Sequence, residues 1–356
     1  MMKEVDMKPR AVVRDAAQYG GSEIFSIQDV SPILPNILGP NDVIVKMAFT
    51  SVNPAEVKIA HGAVRFLESG GARNSGWRIP GADFSGTVTA IGANVTKVAV
   101  GDEVLGEIAT SSIFSGNGTW AEEMITQEDY CLKKPSTMPS DIAGALAMVA
   151  HTSMTAIRYY MGGAGGQRVL VIGGSSGTGM MAIQIMKAHG AAFVAATCSA
   201  KNVALVQSLG ADLVIDYTTQ DWTIELRGKD LDVVYDCVGG RSHWYNCPKV
   251  LKPSWGKYIA VAPDDPDADV SCSLLLGMVG GSINRKFWSF FGHPGYYMVQ
   301  SSPNAEYLAE VVRLHADGKL KVVIDSVHPF TTEGVRAALD KVAGRHTSGK
   351  VLIKIS

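Results

Sequence analysis

The chain has 356 residues, of which 46% are hydrophobic and 19% charged, and its formal net charge is −2. This length predicts two domains, and the near-neutral charge provides no long-range attraction to nucleic acid or to an anionic membrane. No apolar run approaches the ~20 residues that span a bilayer. We therefore expect a small molecule as partner, and neither nucleic acid nor membrane.

The N-terminus reads M-M-K-E-V-D-M-K-P-R, which has acidic residues and lacks the apolar segment of a secretory signal. It predicts a cytoplasmic protein, and a short cleaved presequence would leave a mitochondrial location open. The five cysteines are widely spaced and form no C-x-x-C pair. Their spacing argues against a disulfide scaffold and against a structural zinc site.

Short strand-like segments separated by turns are typical of residues 1 to about 150. The apolar runs at 43–49, 86–92 and 103–106 alternate with glycine-, proline- and asparagine-containing turns. This pattern predicts an antiparallel, partly barrelled β domain. A helical pattern at 141–160 follows and connects this domain to the next one.

The segment at 168–190 predicts a buried strand, a glycine-rich turn and a helix. The apolar run at 169–172 is bounded by glycine pairs, as expected for a strand covered on both faces. Gly174, Gly177 and Gly179 allow a tight turn and a close approach of the backbone to a ligand. Because a helix N-terminus offers N–H groups and a positive dipole end to phosphate, this turn predicts half of a dinucleotide site.

Two departures from the common dinucleotide pattern concern the turn and the next strand. Ser176 takes the place of the middle glycine in G-x-G-x-x-G. After the second strand, at 193–197, an NAD-preferring site usually carries Asp or Glu for the ribose 2′-hydroxyl. Here Ser199 and Lys201 offer a hydroxyl and a cation, which suit a 2′-phosphate and predict NADPH. The alternative is that Lys201 is only a solvated helix residue.

Further strands at 213–215, 233–235 and 258–261 are separated by helical stretches, which predicts a parallel, doubly wound α/β sheet. The last part of the chain predicts a helix, a strand, a helix and a strand, at 305–316, 322–330, 332–343 and 350–355. We expect the final strand to return to the N-terminal domain. The predicted domains are 1–150, 151–300 and, returning to the first, 301–356.

Eight short motifs occur in order along nearly the whole chain. They are S-V-N-P-A-E at 51–56, P-G-A-D-F-S-G at 80–86, V-G-D-E-V at 100–104, G-T-W-A-E-E at 118–123, S-G-T-G-x-x-x-x-Q-x-x-K at 176–187, L-G-A-D at 209–212, D-x-V-G-G at 236–240 and S-G-K at 348–350. With them the chain resembles a medium-chain dehydrogenase/reductase, most closely the zinc-independent quinone oxidoreductase (zeta-crystallin-like) branch. The resemblance implies a Rossmann domain and a GroES-like β-barrel domain formed by the N-terminal part and the C-terminal tail.

The chain departs from the zinc-dependent members of this family at their ligand positions. Those members place Cys or His near 51–53, Gly-His-Glu at 81–83 and a further ligand near Val149. This chain has Asn53, Ala82, Asp83 and Val149 there, and the four-cysteine structural lobe is missing. We therefore predict no bound metal, and read His151 as a packed or solvated residue.

The resemblance also implies roles for individual residues. Asn53 and Thr152 would lie beside the nicotinamide and its acceptor as the catalytic residues. The alternatives are that Asn53 forms the turn before Pro54 and that Thr152 is a helix N-cap. The cofactor would be held by Gly174, Ser176, Gly177, Thr178, Gly179, Ser199, Lys201, Tyr217, Cys237 and His346. For Tyr217 the alternative is a core position, and for His346 a surface loop.

Without a metal, hydride transfer needs an acceptor that stabilises negative charge on oxygen, such as a quinone or an α,β-unsaturated carbonyl. A trans-2-enoyl thioester reductase is the nearest alternative, but the Tyr that some of these enzymes use as proton donor is absent and His61 stands in its neighbourhood. A non-catalytic NADPH-binding sensor or structural protein is the alternative of another class. The resemblance also implies a homodimer, in which the runs at 233–238 and 257–262 would pair edge to edge. The aromatic tract at 285–297 suggests a flat acceptor site, and the alternative is a buried hinge or subunit contact.

Overall fold

The computed structural model describes residues 8–63, 65–68, 76–253, 255–263 and 293–356. The chain divides into two compact units. Unit 1 comprises the described residues within Met1–Met148, Ser302–Ala309 and Ile324–Ser356. Unit 2 comprises those within Val149–Ser301 and Glu310–Val323. Most of the aromatic tract predicted at 285–297 lies outside the described residues.

The strands of the described segments are numbered in chain order. They are β1 (Arg10–Asp15), β2 (Ser26–Asp29), β3 (Asp42–Val52), β4 (Trp77–Arg78), β5 (Asp83–Ile91), β6 (Glu103–Glu107), β7 (Glu123–Gln127), β8 (Cys131–Lys133), β9 (Arg168–Ile172), β10 (Phe193–Cys198), β11 (Leu213–Asp216), β12 (Val233–Asp236), β13 (Lys257–Ala260), β14 (Gly295–Met298), β15 (Ile324–Pro329) and β16 (Lys350–Lys354).

The α-helices of the same segments are mostly short. They are α1 (Pro54–Ala60), α2 (Thr110–Phe114), α3 (Ser140–Gly144), α4 (Ala147–Thr155), α5 (Gly177–Ala188), α6 (Val203–Ser208), α7 (Trp222–Glu225), α8 (Arg241–Asn246), α9 (Ala305–Ala316) and α10 (Thr332–Ala343). No described helix combines the length and the apolar character that crossing a membrane requires.

Unit 1 is built around an antiparallel sheet in the order β15-β16-β3-β5-β6-β8, with β7 also paired to β3. The small sheet β2-β1-β4 accompanies it. β16 pairs with β3 in antiparallel register, so the C-terminal strand completes the N-terminal domain as predicted. Alternation along β3 turns apolar side chains such as Val43, Val45 and Met47 into the core, where fully buried Trp120 also lies.

Unit 2 contains a six-stranded parallel sheet in the order β11-β10-β9-β12-β13-β14. This is the doubly wound arrangement that the alternation of strands and helices predicts. β9 lies in the middle of the sheet, and its residues from Val169 to Val171 are completely buried. The carboxyl ends of neighbouring parallel strands meet at one edge, which brings together the loops that follow β9, β10, β11 and β12.

The proposed edge-to-edge pairing of 233–238 and 257–262 in a homodimer is wrong. β12 pairs with both β9 and β13, and β13 pairs with both β12 and β14. The backbone hydrogen bonds of both strands are therefore used inside the sheet. In the described sheet the edge strands are β11 and β14.

The segment predicted as one helix at 141–160 is interrupted. It consists of α3, α4 and a π-helix at Ala156–Met161. Near the start of α4 the Met148 N–H donates to Asp83 Oδ1 at 2.6 Å, so a side chain from β5 occupies a donor that a continuous helix would use. At the other end the Lys257 ammonium donates to the Tyr160 and Met161 carbonyls at 2.9 and 3.1 Å, satisfying acceptors that a helix end leaves open.

The segment at 310–323 belongs to unit 2, although we expected all of 301–356 to return to the first domain. The buried Gln184 side chain of α5 explains the difference. Its Nε2 donates to the Lys321 carbonyl at 3.0 Å, and its Oε1 accepts from the Lys321 N–H at 2.7 Å. The side chain of Gln184 therefore binds the backbone of a distant segment of the chain.

Candidate functional site

The turn between β9 and α5 is held tightly against β10. The Gly173 N–H donates to Thr197 Oγ1 at 3.1 Å, and the Gly174 N–H donates to the Thr197 carbonyl at 2.7 Å. Gly173 has a φ of +81°, which favours glycine. A Cβ on Gly174 would lie 2.8 Å from the Ala196 Cβ, so both positions require the absence of a side chain.

Ser176 closes the turn with its side chain. As N-cap of α5, its Oγ accepts from the Gly179 N–H at 3.0 Å and donates to the Gly173 carbonyl at 2.8 Å. A Cβ on Gly179 would lie only 2.2 Å from that carbonyl oxygen. The serine that replaces the expected glycine therefore rigidifies the turn, and its hydroxyl is used within the protein.

The start of α5 has open donors for an anion. The N–H groups of Gly177 and Thr178 make no hydrogen bond within the described part of the chain, and both residues are half-buried. They precede a helix of 12 residues, whose dipole is positive at this end. Because side chains at the neighbouring glycines would block a close approach, the turn fits the pyrophosphate of a dinucleotide.

The loops after β10 and β11 bring the residues predicted for the 2′-phosphate to the same edge of the sheet. Ser199 is half-buried and Lys201 is exposed. The Tyr217 N–H donates to the Cys198 carbonyl at 3.1 Å, and the Tyr217 side chain is 58% exposed, so it is not a core residue.

Asp216 supports these loops and was given no role from the sequence. Its Oδ1 accepts from the Thr218 hydroxyl at 2.8 Å and from the Thr218 N–H at 3.1 Å, and the carboxylate also accepts from the Ala200 N–H. The hydrogen bonds from Thr218 and Ala200 lower the pKa of Asp216. The D-x-T sequence after a strand could have indicated this role, because an Asp side chain commonly accepts a hydrogen bond from the backbone N–H two residues further on.

Cys237 follows β12 and lies beside the glycine turn. Its N–H donates to the Ile172 carbonyl at 3.0 Å, and a Cβ on Gly173 would lie 3.6 Å from the Cys237 Cβ. Burial, followed by the charge of Asp236, raises the pKa of the Cys237 thiol. The thiol therefore stays protonated and is unsuited to act as a nucleophile.

Beneath the same turn the Tyr235 hydroxyl is buried, and among the described residues no hydrogen-bond partner reaches it in bonding geometry. Ser153 and Cys237 are its polar neighbours. Burial raises the pKa of Tyr235 well above its usual value, so the hydroxyl keeps its proton.

Asp236 fixes the loop D-x-V-G-G. Its fully buried carboxylate accepts from the N–H groups of Val238 and Gly239 at 2.8 and 2.9 Å, from His243 Nδ1 at 2.8 Å and from the Tyr258 hydroxyl. Burial by itself would raise its pKa, but the hydrogen bonds from His243 and Tyr258 outweigh burial and lower it. This motif residue is a structural anchor of the loop that carries Cys237.

Thr152 lies inside α4 and is therefore not a helix N-cap. It is buried, and its Oγ1 is 3.3 Å from Ser301 Oγ. The next residue, Ser153, donates from Oγ to the Thr178 carbonyl at 3.3 Å. This hydrogen bond places α4 beside the start of α5. Ser153, which makes it, is the neighbour of Thr152 in the chain.

Unit 1 contains a buried polar network around Asn53, at the N-terminus of α1. Asn53 Nδ2 donates to Asp83 Oδ2 at 3.1 Å and lies 3.3 Å from Glu56 Oε1. The Lys350 ammonium donates to Asn53 Oδ1 and to Asp83 Oδ2, the latter at 3.2 Å. The Ser51 hydroxyl donates to the same Asp83 oxygen. The network joins β3, β5, β16 and α1.

The two carboxyl groups of this network have pKa values shifted in opposite directions. Burial, followed by the charge of Asp83, raises the pKa of Glu56 to about 7. Burial acts in the same direction on Asp83, but the Lys350 ammonium and the hydrogen bond from Ser51 outweigh it and lower the pKa. Asp83 is therefore ionised at neutral pH, whereas Glu56 carries a proton for part of the time.

Two of the histidines that the sequence singles out are exposed. His346 is exposed, just before Lys350 in the chain, and His61 is exposed at the C-terminus of α1. His151 is buried in α4. The described segments contain no group of three or more His, Cys, Asp or Glu that would hold a metal ion.

Two segments of the chain match known families. Residues 39–136 match the family described as alcohol dehydrogenase GroES-like domain, and residues 209–353 match the family described as zinc-binding dehydrogenase. The chain is 31% identical to NAD(P)H oxidoreductase RTN4IP1, mitochondrial, of Bos taurus over 98% of this chain and 90% of the relative. It is 30% identical to trans-enoyl reductase pgmF of Aspergillus terreus over 90% of this chain and 88% of the relative.

Among solved structures, the quinone oxidoreductase from Coxiella burnetii has a similar fold. Its TM-score is 0.80 at 24% sequence identity, and the match covers 98% of this chain and 99% of that one. The predicted fold, a Rossmann sheet with a GroES-like domain, is confirmed by this match and by the family match over residues 39–136.

The raised pKa of Glu56 predicts how the stability of the Glu56→Gln variant depends on pH. The folded protein binds this proton more tightly than the unfolded chain, so the wild type loses stability as the pH rises from about 4.5 through about 7. Glutamine has no proton to lose, so the variant does not share this loss. Its free energy of unfolding relative to that of the wild type should therefore increase by on the order of 1–3 kcal/mol as the pH rises across this range.

Urea unfolding at a series of pH values measures this difference. Glu128→Gln is the matched control, because Glu128 is also a buried carboxylate in unit 1 but accepts from the N–H groups of Thr96 and Lys97, away from the network. A constant difference between Glu56→Gln and wild type over this pH range would contradict the assignment.

Proposed function

Because the chain belongs to the quinone oxidoreductase branch of the medium-chain dehydrogenase/reductase family, we propose that it reduces quinones or α,β-unsaturated carbonyl compounds with NADPH and without a metal. It is an NAD(P)H-dependent oxidoreductase. The observation that carries the proposal is the glycine turn, whose open N–H groups of Gly177 and Thr178 face no acceptor among the described residues.

The residues of unit 2 fit the cofactor. Gly177 and Thr178 would bind the pyrophosphate through their N–H groups, while Gly174 and Gly179 keep the backbone clear of side chains. Ser176 would act through the shape of the turn, since its hydroxyl is bonded within the protein.

We propose that the cofactor is NADPH rather than NADH. No carboxylate follows β10 at the place where NAD sites accept the ribose 2′-hydroxyl, and Ser199 and Lys201 stand there instead. The nearby Asp216 carboxylate bonds Thr218 and the Ala200 N–H, and so holds the loop that carries Lys201. Tyr217, Cys237 and His346 are the further cofactor contacts of this proposal.

The acceptor class follows from the residues available to assist the reaction. NADPH, when bound, supplies a hydride. Asn53 would lie on the acceptor side, and Thr152 beside the nicotinamide. Since neither side chain is a strong acid or a metal ligand, the site suits an acceptor that stabilises negative charge by itself, which quinones and conjugated carbonyls do and simple ketones do not.

A trans-2-enoyl thioester reductase is the second candidate, favoured by the similarity to a relative named trans-enoyl reductase. The Tyr donor of some such enzymes is absent, and His61 at its neighbourhood is exposed at a helix end. A non-catalytic NADPH-binding protein is the third. We further propose a homodimer and a cytoplasmic location, with a mitochondrial one left open because relatives are named mitochondrial.

The function is tested by following NADPH oxidation with an ortho-quinone and with a trans-2-enoyl-CoA as acceptors. Faster oxidation with the quinone supports the first candidate, and faster oxidation with the enoyl-CoA supports the second. Binding of NADPH without oxidation by either acceptor would overturn both and leave the non-catalytic protein.

Lys201→Ala tests the 2′-phosphate contact. A charge-assisted hydrogen bond contributes ~1.5–3 kcal/mol, so the variant should bind NADPH about 10- to 100-fold more weakly and NADH almost unchanged. Nicotinamide fluorescence titrations give both dissociation constants. Lys249→Ala is the matched control, because Lys249 bonds Asn246 on α8 at 2.7 Å. Equal losses for both cofactors would reject the assignment.

Thr152→Val tests the position beside the nicotinamide, because valine keeps the shape and removes the hydroxyl. We expect turnover to fall about tenfold while NADPH affinity stays within a few-fold. Ser153→Ala serves as comparison, since the Ser153 hydroxyl bonds the Thr178 carbonyl at the glycine turn. Unchanged turnover in Thr152→Val would remove Thr152 from the site.

A further inference from the structure

Two buried arginines lie next to each other on β1 and β4. Arg14 and Arg78 are direct partners in the antiparallel register of these two strands. Partners of this kind point to the same face of a sheet, with their Cβ atoms about 5 Å apart. Arg14 is only 3% exposed and Arg78 only 9%. Because arginine keeps its charge in a protein, two positive charges are held together away from water.

Arg14 has a carboxylate partner, whereas Arg78 has none among the described residues. The Arg14 guanidinium pairs with Glu68, and the second Glu68 oxygen accepts from the Tyr19 hydroxyl at 2.8 Å. Both oxygens of this carboxylate are therefore used. The sequence that separates Glu68 from Gly76, S-G-G-A-R-N-S, contains no Asp or Glu. In the described part of the chain, the two arginines thus share a single counter-charge.

The Arg78 side chain is held in place, but one of its donors is unused. Its Nη1 donates to the Ser115 carbonyl at 2.9 Å, at the C-terminus of the short helix α2. A helix C-terminus is negative, so this bond offsets part of the charge. The Arg78 Cδ lies against Gly116, where a Cβ would be only 2.5 Å away. The Arg78 Nε is buried and has no hydrogen-bond partner among the described residues.

Arg10, on the same strand as Arg14, shows what such a donor binds in this protein. Its Nε and Nη2 both donate to Glu122 Oε1, at 2.9 and 2.6 Å. Carboxylates and phosphates are the groups that match this planar fork. A buried donor and a buried charge without partners both cost stability, and a bound anion of this kind would remove both costs at Arg78. The unused donor therefore points to a ligand that carries such a group.

The position of Arg78 in the chain limits its distance from Asn53. Asp83 follows Arg78 by five positions, so their Cα atoms are at most ~18 Å apart. Asp83 Oδ2 in turn accepts from Asn53 Nδ2 at 3.1 Å. An acceptor whose reacting carbonyl lies at Asn53 therefore needs only a side chain of this length to bring an anionic group to Arg78.

We propose that Arg78 forms an anion site in unit 1, where it binds a carboxylate or phosphate group carried by the acceptor. Arg78 thereby determines specificity, because an acceptor without such a group leaves the guanidinium unpaired. That the ligand is the acceptor rests on the proposed function, whereas the anion site itself does not. The two parts of the proposal are therefore tested separately.

The anion site is tested by NMR of the arginine side chains in ¹⁵N-labelled protein, with NADP⁺ present to occupy the glycine turn. The Nε–H signals are assigned by their loss in Arg10→Lys, Arg14→Lys and Arg78→Lys. Sodium acetate and inorganic phosphate are then added to the wild type at constant ionic strength. We expect the Arg78 signal to move downfield and to saturate in the millimolar range. The signals of Arg10 and Arg14 should stay in place, because these guanidinium groups already hold carboxylates.

The anion that binds more tightly identifies the group as a carboxylate or a phosphate. An Arg78 signal that ignores both anions would overturn the proposal. Equal shifts of all three arginine signals would do so too, because they would show a general response to salt. The titrations use the wild type, so the variants serve only for assignment.

The role in acceptor choice is tested with two quinones that differ in one charge, a benzoquinone with a propionate side chain and its methyl ester. In the wild type kcat/KM should be about 10- to 100-fold higher for the acid, the difference that one charge-assisted bond makes. In Arg78→Met this ratio should fall to about one, and in Arg78→Lys, which keeps the charge without the fork, it should lie between. Arg10→Met is the matched control and should keep the wild-type ratio.

Equal kcat/KM for acid and ester in the wild type, or an unchanged ratio in Arg78→Met, would overturn the role of Arg78 in acceptor choice. If neither quinone is reduced but the Arg78 signal responds to an anion, the proposed function fails while the anion site stands. If the quinones are reduced but the signal does not respond, the anion site fails while the proposed function stands.

Discussion

The buried Asp83 carboxylate is the interaction on which unit 1 depends. It accepts hydrogen bonds from Ser51 on β3, from Asn53 at the start of α1, from Lys350 on β16 and from the Met148 N–H near the start of α4. One side chain thus connects three distant parts of the chain, at 51–53, at 148 and at 350. Because a buried charge without partners costs several kcal/mol, all of these elements are held in one arrangement. The same carboxylate interrupts the helix at 141–160 and fixes the amide of Asn53.

The glycine turn of unit 2 depends on the close approach of its backbone atoms. At the turn after β9, the Gly179 position lies so near the Gly173 carbonyl that a side chain is impossible, and Ser176 bonds both residues. The turn is thereby shaped before any ligand arrives, so little conformational entropy remains to be lost on binding.

Sequence reasoning succeeded where the signal is local. The apolar run of β9, the following glycines and the helix that ends before Gly190 lie within one short segment, and the structure has β9 and α5 there. It failed where a side chain meets a backbone group far along the chain. Neither the bond from Met148 to Asp83 nor that from Gln184 to Lys321 leaves a periodic trace, so the interrupted helix and the placement of 310–323 were missed. At the candidate site, the residue types pointed to Asn53. Its hydrogen bonds with Glu56 and Lys350 depend on distances that no sequence pattern encodes.

The position of Lys350 in the chain also has a consequence for biosynthesis. Its ammonium neutralises the charge that Asp83 buries, yet 267 positions separate the two residues. During translation the N-terminal strands and the whole of 149–301 emerge before the strand that carries this lysine. The described parallel sheet of unit 2 is complete by β14, whereas unit 1 still lacks the lysine that compensates Asp83 and the strand that pairs with the Phe49–Val52 end of β3. Ribosome-bound chains that stop before β16 should therefore protect unit 2 from proteases and leave unit 1 open to chaperones.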